Sequence, residues 1–130
     1  MAGGEKMPRY FTVEQANEAL KTLKPMVQEM LELRQSILER QPETWPALQK
    51  AVGNGGSKAA SLLAQEFTRL NELARQIQST GVVLKDINQG LLDFPSLRDG
   101  REVYLCWRYG EDRLEFWHDL DAGFAGRQEL

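Results

Sequence analysis

From Val13 onward, apolar residues recur three and four positions apart: Val13, Ala16, Leu20, Leu23, Val27, Met30 and Ile37. Side chains at that spacing line one face of an α-helix, so the row predicts a helix of about eight turns ending near Arg40 and Pro42. Met26, Leu31 and Leu38 widen the stripe and Arg34 interrupts it. Thr12 is the expected N-cap. Gln15 is placed to complete a capping box on the Thr12 amide, and Phe11 to pack on Ala16. Pro25 lies inside the row. Lacking an amide proton and crowding the carbonyl of Lys21, it predicts a kink or a break into two helices.

A second stripe, Ala60, Leu63, Phe67, Leu70, Ala74 and Ile77, repeats the spacing, with Ser57 as cap and Gly81 as C-cap. Between the stripes, Pro42 to Val52 leaves room for a short helix around Trp45. Gly53-Asn54-Gly55-Gly56 reads as a loop, because glycine carries too much backbone entropy for a helix. Two long helices with matching narrow stripes predict an antiparallel helical hairpin over residues 11–80. The hairpin alone cannot bury both stripes, so it needs a third layer or a partner chain.

Past Gly81 the period becomes two. Val82-Val83-Leu84 is a short strand candidate, Leu91 to Leu97 leads into the hairpin signal Asp99-Gly100, and Arg101 to Arg108 alternates. Tyr109-Gly110-Glu111-Asp112 is a further turn, after which Arg113 to His118 alternates again. The pattern predicts a three-stranded antiparallel meander, with Pro95 confining its first strand to an edge or bulge. A two-residue first turn and a four-residue second turn set Leu105 opposite Phe94 and Phe116, Trp107 opposite Leu92 and Leu114, and Val103 opposite Ser96 and His118. That nearly apolar face should lie on the helices. The other face carries Asp93, Pro95, Tyr104, Cys106, Arg108, Glu115, Trp117 and Asp119. A one-residue slip would turn the apolar set to solvent, which supports this register. The predicted fold is α+β: a long antiparallel helical hairpin packed on one face of a small three-stranded antiparallel β-meander. It forms a single domain over 10–130, with meander and C-terminal tail at 81–130, behind a flexible tail over 1–9.

Composition adds limits. The chain of 130 residues is 42% hydrophobic and 27% charged, enough for one packed core. No apolar run approaches the roughly 20 residues of a membrane span. The opening residues contain no stretch resembling a signal peptide, which predicts a cytoplasmic location. Net charge is −3. Neither the helical part nor the 81–130 part has the basic excess that phosphate binding rests on, which argues against a nucleic-acid partner.

Candidate chemistry centres on Glu115-Phe116-Trp117-His118-Asp119-Leu120-Asp121, which holds the only histidine. His118, Asp119, Asp121 and Glu115 offer nitrogen and oxygen donors of the kind metals take. Alternation works against the set, since His118 points to the core with Leu114 and Phe116 while Glu115 and Asp119 point away. Only Asp121, after a bend at Leu120, joins His118. A rim histidine bonded to Asp121 or a backbone carbonyl is the plainer alternative, so no metal is assigned. Cys106, the lone thiol, faces away from His118 in this register. Asp93 and Glu115 flank it and would raise its pKa, making it a poor nucleophile. Asp93 and Glu115 also form a candidate acid–base pair, countered by Arg108 and Arg113. Gly123-Phe124-Ala125-Gly126-Arg127 predicts a tight bend that folds Phe124 onto an apolar surface and frees Arg127 for an anion. Two large aromatics, Tyr104 and Trp117, are more than a solvated face requires. The candidate ligand or partner surface is therefore Tyr104, Trp117, Arg108, Glu115, Asp93, His118, Asp121 and Arg127.

Gly90-Leu91-Leu92-Asp93-Phe94-Pro95, Asp99-Gly100-Arg101-Glu102-Val103-Tyr104-Leu105-Cys106-Trp107-Arg108, Trp117-His118 and Gly123-Phe124-Ala125-Gly126-Arg127 together resemble small bacterial proteins of the domain-of-unknown-function family 2203. The opening Tyr10-Phe11-Thr12 with Glu14, Ala16 and Asn17 is similar to that family's first helix start. The resemblance implies a bacterial origin and a free-standing small protein, and brings no activity or cofactor with it. The expected function is a non-enzymatic binding or assembly module that self-associates, with homodimerisation through the helices as the first expectation. The alternative is a small-molecule or metal-dependent enzyme with a site near His118, Asp121 and Arg127.

Overall fold

The computed structural model describes residues 9–40, 45–52 and 62–130. Residues 1–8 of the expected 1–9 tail, the glycine loop at 53–56, the Ser57 cap and Ala60 lie outside the described residues. Helix α1 (Val13–Arg40) opens with the expected reciprocal cap. The Gln15 amide donates to Thr12 Oγ1 at 3.0 Å and the Thr12 amide to Gln15 Oε1 at 3.0 Å. Ala16, Leu20, Leu23, Val27, Met30 and Ile37 are buried as the stripe requires. Pro25 does not break the helix, which runs without interruption for 28 residues. Pro25 and Lys21 both lie on the exposed side of the helix, where losing one helical bond costs least.

Two further helices follow, α2 (Trp45–Ala51) and α3 (Leu62–Ser79). Trp45 is buried, and its indole N–H donates to Asn88 Oδ1 at 3.0 Å. Arg34, the interruption in the α1 stripe, donates to the same oxygen at 2.8 Å. The residue that breaks the apolar row thus fastens α1 to the same β1–β2 turn that holds Trp45 of α2. Arg69 of α3 forks onto Glu29 of α1 at 2.8 and 3.0 Å, and Ser36 donates to Glu66 at 2.8 Å, so the two helices run in opposite directions. They form a looser hairpin than the matching stripes suggest, because both stripes share one core with the sheet.

The sheet has five strands rather than three: β1 (Val83–Asp86), β2 (Leu91–Arg98), β3 (Arg101–Arg108), β4 (Phe116–Asp119) and β5 (Gln128–Glu129), antiparallel and in chain order. The short Val82-Val83-Leu84 candidate is part of a sheet member, and two polar residues at the C-terminus add the fifth strand. The first hairpin has the predicted register, Asp93 opposite Cys106 and Phe94 opposite Leu105. Asp99 and Gly100 hold φ of 54° and 77°, the two left-handed residues of a type I′ turn.

The second hairpin is one residue out from the predicted register: Leu105 opposes Trp117, Tyr104 opposes His118 and Cys106 opposes Phe116. Asn17 on α1 supplies the reason. Its Oδ1 accepts the Leu114 amide at 2.8 Å, while its Nδ2 donates to the Val13 carbonyl at 3.2 Å and the Leu114 carbonyl at 3.5 Å. Leu114 is thereby held in the core but off the ladder, and the chain joins β3 one residue later than a tight turn would allow. Trp117, not His118, faces the helices with Leu92, Phe94, Val103, Leu105 and Trp107.

Pro95 sits within β2 just past the end of the β1 pairing, which reaches Asp93. Its carbonyl accepts the Phe11 amide at 2.7 Å. A strand residue's N and C=O point the same way, so the amide proton that proline lacks would have pointed away from β3 and no β2–β3 bond is lost. Phe11 is held there from both sides: Ser96 Oγ donates to its carbonyl at 2.6 Å and its ring meets Phe94 edge-on at 5.2 Å. No helix among the described residues is long and apolar enough to cross a membrane.

Candidate functional site

The shift in register rebuilds the outer face of the sheet. Asp93 on β2, Cys106 on β3 and His118 on β4 now share it, and each is at most 1% exposed. Donor atoms of the three residues lie within 4.8 Å of one another. The expectation that Cys106 and His118 point to opposite faces is therefore overturned.

Hydrogen bonding fixes the histidine. Its Nδ1 lies 2.7 Å from the Asp119 carbonyl, which can only accept, so Nδ1 carries a proton. Nε2 is then left for Asp93, whose Oδ1 is 3.0 Å away. Two acceptors cannot face each other at that distance, so one further proton lies between Nε2 and Oδ1. The other carboxylate oxygen, Oδ2, is buried and accepts no hydrogen bond from any described residue. Tyr104 flanks the pair, its ring 5.6 Å from the imidazole.

The chain covers this face with its own C-terminal segment. After Gly123 the backbone makes one short turn, Phe124–Gly126, and returns along β4 as β5. Arg127 lies between two rings, 3.9 Å from the centre of Phe116 and 4.1 Å from that of Phe124. Its guanidinium also forks onto Glu111 at 2.8 and 3.1 Å. Burial alone would lower the Arg127 pKa, but the Glu111 bonds prevail and raise it. Glu111 in turn accepts the Arg108 amide at 2.8 Å, so one carboxylate organises the β3–β4 turn and anchors the tail. The bend predicted for 123–127 forms, but Phe124 stacks on the guanidinium of Arg127 rather than joining the apolar core, and Arg127 is engaged rather than free for an anion.

The other sequence candidates disperse. Asp121 is exposed and does not reach His118, whose partners are Asp93 and the Asp119 carbonyl. Glu115 is exposed and off the ladder, and Phe116 takes its predicted place opposite Cys106, which removes the Asp93–Glu115 pair. Trp117 belongs to the core face, under the guanidinium of Arg98 at 4.6 Å. Asp119 pairs with Arg101 at 3.2 Å at the rim. Arg108 is exposed, 5.4 Å from the Phe124 ring centre. Glu111, Phe116 and Phe124 were absent from the candidate set. An acid in the β3–β4 turn and an arginine in the aromatic tail were the available signal, but nothing local in the sequence joined them.

Electrostatics restrict what this cluster does. Burial, then the Asp93 carboxylate, push the Cys106 thiol up to about 12, with Arg127 pulling the other way. A thiol held in that state is no nucleophile. What the arrangement offers is one nitrogen, one sulfur and carboxylate oxygens converging in a space closed to water. Fold and site together define a small α+β protein with a polar cluster sealed between the far face of its sheet and its own tail. The chain belongs to the family described as "Uncharacterized conserved protein (DUF2203)", whose model matches residues 9–130. No curated protein matches the chain, and no solved structure does.

Proposed function

We propose that the protein is a non-enzymatic binding module that self-associates in the cytoplasm, with residues 10–130 acting as one domain. The observation that carries this reading is the uneven cover of the outer sheet face. At its β3–β4 end the tail seals the face. At its β1–β2 end Val83 is 37% and Leu97 52% exposed, beside half-buried Pro95 and Tyr104. Large apolar side chains gathered on one open face favour a contact surface. A second copy suits that surface better than a helix-to-helix dimer, because the α1 and α3 stripes already serve the chain's own core.

Light scattering across a concentration series tests the reading. The wild-type chain should form a dimer as concentration rises, and Leu97→Asp should return it to monomer. A monomer at every concentration would overturn it.

A further inference from the structure

We infer that Asp93, Cys106 and His118 form a binding site for one divalent metal ion of the zinc class. The site is separate from the surface proposed for self-association and does not depend on it.

Three observations converge. The first is the donor set. Carboxylate oxygen, thiolate sulfur and imidazole nitrogen are the ligands zinc-type ions take, and three protein ligands leave one position for a water or a bound molecule. The three come from neighbouring strands β2, β3 and β4, so the sheet itself fixes their spacing. In a tetrahedral zinc site the donor atoms stand roughly 3.3–3.8 Å apart. Here they lie within 4.8 Å of one another, with His118 Nε2 and Asp93 Oδ1 at 3.0 Å. Side-chain adjustments of roughly 1–1.5 Å at most bring the donors to that spacing.

The second is the orientation of the histidine. Its Nδ1 proton is committed to the Asp119 carbonyl at 2.7 Å, which aims Nε2 at the cluster. A backbone carbonyl on the far nitrogen is the outer-shell arrangement that metal-ligating histidines use.

The third is the unsatisfied oxygen. Asp93 Oδ2 is buried in the same space and accepts no hydrogen bond from any described residue. Buried carboxylate oxygens without a partner are uncommon in native structures and call for a specific explanation. A cation supplies one.

Charge and proton balance agree. A dication, one thiolate, one carboxylate and a neutral imidazole sum to zero, the condition under which ions tolerate a site closed to water. The nearby Arg127 is paired with Glu111, and its remaining pull on Cys106 favours the thiolate that a metal needs. Loading exchanges the ion for two protons, one from the Cys106 thiol and one from between His118 and Asp93. No electron changes hands.

The test is a Co2+ titration of the full chain, chelator-stripped and kept reduced, followed by absorbance and then by Zn2+ competition. The wild-type protein should take up one ion per chain. It should develop the near-ultraviolet thiolate-to-cobalt band and the visible bands of a tetrahedral site, and lose both to Zn2+. Cys106→Ser, a near-isosteric change, should abolish the charge-transfer band. Asp93→Asn should weaken binding by roughly tenfold or more. Circular dichroism on each variant separates lost binding from lost folding, while the wild-type spectrum needs no variant. A wild-type chain that binds no ion, or one that binds without a thiolate band, would overturn the inference.

Discussion

Cys106 allows the sealed face to be tested with a reagent as small as iodoacetamide. The thiol is 0% exposed, and its pKa stands at about 12 against an ordinary 9.0, through burial first and Asp93 second. At any pH below both values that gap makes the thiolate about a thousandfold rarer in the folded chain than in the unfolded one. Near pH 8, alkylation of the native protein should therefore run about a thousandfold or more slower than in urea. As the only cysteine, Cys106 reports with no background from other thiols. The same gap ties stability to pH. A raised folded pKa contributes stability that is complete below about 9 and is lost as pH rises toward about 12, because the unfolded chain gives up its proton first. The loss should be about 1.4 kcal/mol per pH unit in that window, approaching 4 kcal/mol at its upper end. Lysines and tyrosines titrate there too, so the measurement is the difference between wild type and Cys106→Ala in urea unfolding at successive pH values. In the metal-free chain, wild type should lose stability faster. Parallel curves, or native labelling at the unfolded rate, would refute a sealed and desolvated thiol.

Four further changes follow from single contacts. Asp93→Ala leaves His118 Nε2 buried without a partner and should cost about 3–5 kcal/mol in urea unfolding; the cost should shrink in a His118→Ala background. Asn17→Ala removes the partner of the Leu114 amide and should cost about 1–3 kcal/mol, with faster hydrogen exchange at that amide. Arg127→Lys keeps the charge but loses the planar fork and the two ring contacts; it should cost about 1–2 kcal/mol and speed Cys106 alkylation. Gly90→Ala places a Cβ 2.9 Å from both Tyr109 Cβ and Val27 Cγ1 at φ +66°, and should cost about 1–3 kcal/mol by thermal melting.

What was legible in the sequence followed the range of the interactions. The Thr12–Gln15 cap and the Asp99-Gly100 turn are contained in four residues or fewer, and both were readable along with the helix and strand they start. The β3–β4 register depends on Asn17, 97 positions from Leu114, and no local pattern carries that bond. Strand β5 is two polar residues that become a strand only by lying on β4. Pro25 does not break α1 because the cost of a lost helical bond depends on surroundings, and here Pro25 and Lys21 both lie on the exposed side of the helix.

The candidate site was missed for a related reason. Phe116 and Trp117 are adjacent large aromatics, so either one can face the helices and alternation cannot choose between them. Polar groups make the choice. In the predicted register His118 would lie opposite Val103, on the face that packs against the helices and away from Asp93. An unpartnered buried imidazole there would cost about 1–3 kcal/mol. In the observed register it bonds to Asp93 at 3.0 Å, while the tail covers the Phe116 ring exposed by the exchange. The Asn17 clamp and the His118–Asp93 pair thus discriminate where the apolar pattern is neutral. A purely apolar pair at these two positions would lose that discrimination, as a buried polar contact can fix register where hydrophobic burial alone leaves alternatives close in energy.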